Sequence, residues 1–169
     1  ERLFRIKPIE VGVTSSFQFK RKKTAIVFLV GFFAVQAMLP FRYMFYPGEL
    51  FWNEEGYRFS WRVMLMEKAG YASFRIVDAE NNRSWEAKNY EHLTPNQEKM
   101  MSTQPDMILE YAHFLENQAK VQGVSNPEVF VDAFVSLNGK ASKRFIDPEI
   151  NLAKQQPSLK HKTWILPFE

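Results

Sequence analysis

Apolar and polar positions follow three rhythms along the chain. From 24 to 39 (TAIVFLVGFFAVQAML) there is no rhythm: sixteen residues carry no charge, and nine are Leu, Ile, Val or Phe. As a helix this run is roughly 24 Å long, a little under the roughly 30 Å hydrocarbon core of a bilayer. At about −0.3 to −0.6 kcal/mol for each large apolar residue, it gains roughly 3–5 kcal/mol on insertion. Four cations (20–23, KRKK) crowd one end, while Tyr43, Phe45, Tyr46, Phe51 and Trp52 crowd the other, like an interfacial aromatic belt. A core helix of a soluble domain is the competing reading, and the flanks count against it. Pro40 is expected to end the helix.

Period two dominates next. In 71–77 (YASFRIV), Ala72, Phe74 and Ile76 share one face, which predicts a half-buried strand, with a turn at 78–82 and a return over 83–87. The stretch 57–67 (YRFSWRVMLME) suits a strand or a short interfacial helix, and the pattern does not choose. Period 3.6 then takes over. Thr94-Pro95-Asn96-Gln97 is a helix start with Thr94 as N-cap and Gln97 closing a capping box. The pattern restarts at Pro105, with Ile108, Tyr111, Ala112, Leu115 and Ala119 on one face, and stops near Gly123. Last come the β-rich 129–137, the hairpin signal Asn138-Gly139, a return over 140–146, and a short final strand at 163–166. The expected architecture is a membrane-anchored α+β protein: a linker with a basic flank (1–23), a transmembrane helix (24–40), and an extramembrane domain of β-hairpins with an amphipathic helix (41–169).

Composition changes this picture little. A mean hydropathy of −0.33 makes the remainder water-facing. The net charge of +3 is modest, and outside the basic flank Lys and Arg do not cluster with aromatics, so no nucleic acid is expected as a partner. The flank instead predicts topology: it stays cytoplasmic, and everything after Pro40 lies on the periplasmic or lumenal side. With no cysteine there is no disulfide and no thiol nucleophile. Residues 1–8 (ERLFRIKP) read as the tail of something longer, so the chain is expected to be the C-terminal part of a larger membrane protein.

Candidate chemistry is sparse. His92, His113 and His161 form no HxH or HExxH pair and read as surface or helix-face residues, so no metal site is expected. Glu54-Glu55 reads as a solvated loop tip, and no GxSxG, GxGxxG or P-loop pattern occurs. What remains is Trp52, Tyr57, Ser60 and Trp61, crowded just beyond the apolar run. Rings with polar tips can hold the apolar stem of a ligand and hydrogen-bond its head, or they can serve as belt anchors.

The stretch LPFRYMFYPGELFWNEEGYRFSWRVML, the later NPEVFVDAFVSLNGKASKRFIDPEINLA and the closing WILPF resemble the vitamin K-dependent gamma-glutamyl carboxylases and their bacterial HTTM relatives. The elements W-x(4)-Y-x-x-S-W, V-x-L-N, R-F-I-D-P and W-x-x-P keep their order between about 39 and 168. This resemblance implies part of a multi-pass enzyme that couples oxidation of vitamin K hydroquinone by O2 to addition of CO2 at glutamate side chains. It implies a glutamate-containing peptide or protein as substrate, and lipid and upstream membrane helices as further partners. Trp52, Tyr57, Ser60 and Trp61 would form the substrate-binding segment. The family's base, a lysine in the upstream membrane region, has no match, so this chain is expected to hold no catalytic residue and to be inactive alone. A histidine that the animal enzymes carry in this segment is replaced by Met66, which cannot donate to a carboxylate. Arg58, Arg62 and Arg75 are the nearby cations that could substitute. The alternatives are a non-catalytic membrane-anchored interaction module, or another quinone-linked activity on the same scaffold.

Overall fold

A computed structural model describes residues 20–62 and 64–168. The chain divides after Gln36 into two compact units, each described by itself. The first consists of α1 (Lys22–Met38) up to that point, and no α1 side chain is buried within the chain. The α-helix ends at Met38, just before Pro40 as expected. The chain continues as a 3₁₀ helix over Leu39–Phe45, with the proline in its first turn, where a missing N–H is tolerated. Helical structure thus covers Lys22–Phe45, 24 residues long and apolar enough to cross a membrane by length and composition.

The second unit is an α+β domain. Its antiparallel sheet has the order β2-β1-β3-β4, with β1 Lys68–Asp78, β2 Arg83–Glu86, β3 Pro127–Leu137 and β4 Lys143–Arg144. β1 and β3 pair over their full length, from Lys68 opposite Leu137 to Asp78 opposite Pro127. Ala72, Phe74 and Ile76 alternate inward as the sequence predicts, and so do Val129, Val131, Ala133, Val135 and Leu137. α3 (Pro95–Met101) starts with the predicted capping box at Thr94 and Gln97. α4 (Pro105–Val121) buries Ile108, Tyr111, Ala112, Leu115 and Ala119 in the same core as those inward-facing strand residues. At about 1.5–3 kcal/mol for each fully buried large aliphatic or aromatic side chain, this shared core is the main stabilising element of the unit.

Two expectations about the last third need correction. Asn138 and Gly139 do sit at positive φ (50° and 73°), and Lys140 N–H closes the turn on the Leu137 carbonyl at 3.1 Å. However, Val135 faces Lys143, not Ser142 as a strict two-residue loop would require. One extra residue bulges in the return limb, and the expected strand 140–146 shrinks to β4. Phe145 and Ile146 fill the core, with the Phe145 N–H still donating to the Ala133 carbonyl at 2.8 Å, and the expected final strand reduces to a single bridge between Ile146 and Ile165. The undecided 57–67 is neither strand nor helix among its described residues; it is a succession of turns and bends.

Candidate functional site

The segment from Trp52 to Gly56 is tied into the domain by side chains of opposite character. α2 is a single turn, Leu50–Asn53, closed by Glu54 in the left-handed region at φ 58°. Trp52 is 1% exposed. Its ring meets Phe145 edge-on at 4.8 Å and Phe168 at 4.7 Å, and its indole N–H donates to the Leu166 carbonyl at 2.7 Å. Asn53 donates from Nδ2 to the Pro47 carbonyl (2.9 Å) and accepts the Glu55 N–H (3.0 Å).

Both acidic residues are sequestered, against the expectation of a solvated tip. Glu54 accepts from Lys68 Nζ at 2.7 Å, and the same ammonium donates to the Trp52 carbonyl at 2.6 Å. Burial pushes the Lys68 ammonium pKa below its usual 10.5, while the Glu54 carboxylate opposes that shift. The Glu55 side chain is 1% exposed and lies 2.7 Å from His161 Nδ1. Its other oxygen accepts the Lys162 backbone N–H. With Glu55 ionised, His161 must carry a proton on Nδ1. His161 is therefore more than a surface residue, because it closes the segment onto the C-terminal stretch. Gly56 completes the tie: at φ 73°, an added Cβ would sit 2.6 Å from the Tyr43 backbone.

Beyond this anchor the chain turns outward. Ser60 donates from its backbone N–H (3.1 Å) and its hydroxyl (2.5 Å) to the Tyr57 carbonyl, and the Tyr57 ring meets Phe51 edge-on at 6.1 Å. Phe59, Trp61 and Met64 are 71%, 78% and 94% exposed. All three, with Glu54, hold positive φ between 55° and 65°. Such a conformation costs about 1–3 kcal/mol per non-glycine residue and persists only where the surroundings impose it.

The four sequence-predicted site residues are thus not brought together. Tyr57, Ser60 and Trp61 share one surface segment, whereas Trp52 is a core residue that anchors it. Met66 is half-buried against the core. Arg58 reaches Asp106 at 3.5 Å, the Arg62 guanidinium lies 4.0 Å from the Tyr43 ring centre, and Arg75 lies over Phe130 on the open sheet face.

Several cavities flank the anchor in the second unit, two of them with arginines in their walls. One, of about 360 Å³, lies against Tyr43, Asn53 and Arg62, with the carboxylates of Glu49 and Glu55. The other, of about 210 Å³, lies between the 3₁₀ helix, the 54–59 loop, the start of α4 and residues 158–162. Sequence reasoning missed the second, because its walls come from four separated stretches.

The sequence profile of the family described as vitamin K-dependent gamma-carboxylase, lumenal domain, matches residues 21–169. The matched span includes the whole second unit and all of the apolar helix. No solved structure matches the chain.

Proposed function

The chain belongs to the vitamin K-dependent gamma-carboxylase lumenal-domain family, and from that membership we propose that it is the substrate-holding part of an integral membrane carboxylase. The activity proposed is hydroquinone epoxidation coupled to carboxylation of glutamate side chains, on a bacterial-type HTTM-like scaffold. The observation that carries this reading is the segment 57–61 beyond a buried anchor: Trp61 is 78% exposed, with Tyr57 and Ser60 half-buried beside it and bonded to each other. In this role Trp52 positions the segment, Trp61 covers the methylenes of a glutamate side chain, and Tyr57 and Ser60 face its polar end. A peptide or protein glutamate is the substrate. The apolar helix meets lipid, and the domain lies on the lumenal or periplasmic side.

Vitamin K hydroquinone, when bound, supplies the reducing equivalents that O2 consumes, and CO2 is the group added. The described residues do not suit deprotonation of the hydroquinone. Lys68, the buried lysine, commits its ammonium to Glu54 and the Trp52 carbonyl, which leaves it a structural cation and not a base. The oxidative half-reaction is therefore assigned to membrane helices outside this chain, and no catalytic residue is assigned within it.

The test uses membranes carrying the intact protein, given hydroquinone, O2, labelled bicarbonate and a glutamyl peptide. Label in the peptide is the expected result, with none above background for the 169-residue chain alone. Label from the isolated chain would overturn the division of labour. One observation favours the interaction-module reading: the apolar exposure of Phe59, Trp61 and Met64 also suits a docking surface. Absence of label from the intact protein, with retained binding of a protein partner, would select it.

A further inference from the structure

Among the described residues, Arg42 is a cation without a counter-ion, beside a cavity lined by further cations. The cavity of about 210 Å³ is faced by Arg42, Arg58, Lys160 and Lys162, and by the carboxylates of Glu54, Glu55 and Asp106. Each carboxylate is already committed. Glu54 is paired with Lys68 at 2.7 Å and Glu55 with His161 at 2.7 Å. Asp106 is shared between Lys162 at 3.0 Å and Arg58 at 3.5 Å. Among the described residues, neither Arg42 nor Lys160 has a carboxylate within 4.0 Å. Moreover, Arg42 Nε is buried with no hydrogen-bond partner among those residues. A guanidinium with no carboxylate partner beside a cavity is suited to pair with an anion there. Room for roughly seven waters accommodates a carboxylate on a short stem.

The other arginines do not compete. Arg62 Nη1 is also buried and unpartnered among the described residues, but its cavity holds the Glu49 carboxylate and no second cation, so an anion there meets repulsion. Arg75 is on the open face of the sheet, over Phe130. The Arg42 cavity, in contrast, is partly walled by Arg58 and Phe59, which are neighbours of Tyr57 and Ser60 in the chain.

We propose that Arg42 and Lys160 form an anion subsite that takes the side-chain carboxylate of a glutamate in a peptide lying across the 57–61 segment. The inference rests on the substrate reading above and deepens it, since the guanidinium fork of Arg42 matches the two oxygens of a carboxylate.

The experiment uses the whole chain in lipid nanodiscs and three probes: a short peptide with one glutamate, its glutamine counterpart, and sodium bicarbonate. Calorimetric Kd values are expected to favour the glutamyl peptide at least tenfold. Arg42→Gln should bring that ratio close to one without changing the Kd of the glutaminyl peptide, and Arg42→Lys should restore part of it. Lys160→Gln, at an exposed position that leaves folding alone, should lower the ratio severalfold. A ratio unchanged in both Gln variants, or lost in Arg62→Gln instead, overturns the proposal. Bicarbonate binding that depends on Arg42 while the two peptides bind alike also overturns it, in favour of a free-anion site. The two readings fail separately. Arg42-dependent preference for glutamate without carboxylation by the intact protein keeps the subsite and sinks the carboxylase. Equal binding of both peptides, weakened by Trp61→Ala, keeps the segment and sinks the subsite.

Discussion

Trp52 and Trp61 are nine positions apart and lie at opposite extremes of the same segment, 1% and 78% exposed. The first fills space between Phe145 and Phe168, so Trp52→Ala is expected to destabilise the chain by about 3–5 kcal/mol. Trp61→Ala removes no packed contact and should stay within about 0.5 kcal/mol of the parent. Urea melts of the whole chain in detergent check both, and equal losses would put Trp61 in the core as well.

Lys68 and Glu54 form a second buried relationship. Their side chains are 5% and 17% exposed, and the ammonium also holds the Trp52 carbonyl. Removing one partner strands the other, so Lys68→Met should cost about 3–5 kcal/mol. The double variant Lys68→Met/Glu54→Gln should regain part of that loss, because no unpaired charge remains. A double variant less stable than the single one would show that the pair is not what holds α2 to the sheet.

Asp78 predicts an acid limb. Its carboxylate accepts from the Asn81 side chain at 2.8 Å and from Arg83 at 2.9 Å, and these bonds hold its pKa below the usual 3.8. The unfolded chain therefore takes up a proton that the folded one refuses. The stabilisation is complete above pH 3.8 and is lost as pH falls through the depressed folded value. Between pH 5 and pH 2, the urea midpoint of the parent should fall more than that of Asp78→Asn. Parallel declines would remove Asp78 as the cause.

β1, β3 and α4 were legible because each is amphipathic on its own. Ala72, Phe74 and Ile76 needed only period two, and the cap at Thr94 needed only four residues. The site was legible in part. Trp52 and Trp61 look alike in sequence, and only contacts with Phe145, Phe168 and Leu166, about a hundred positions downstream, separate core from surface. Glu54 and Glu55 looked solvated for the same reason, since Lys68 and His161 bury them from 14 and 106 positions away. Pro40 marked the end of the α-helix but not of helical structure. Its chemistry forbids an α ladder through it, but not a 3₁₀ turn beginning at it.

The most direct test of the substrate-segment reading is the peptide KM of the intact membrane protein with Trp61→Ala. The variant should raise KM for a glutamyl peptide several-fold and leave peptide-independent epoxidation of the hydroquinone unchanged, because uniform substrate binding is lost while the oxidative step is untouched. Met66→His in the same assay should lower KM by adding a donor for the carboxylate. An unchanged KM for Trp61→Ala, accompanied by loss of membrane insertion, would make the residue a belt anchor and contradict the account.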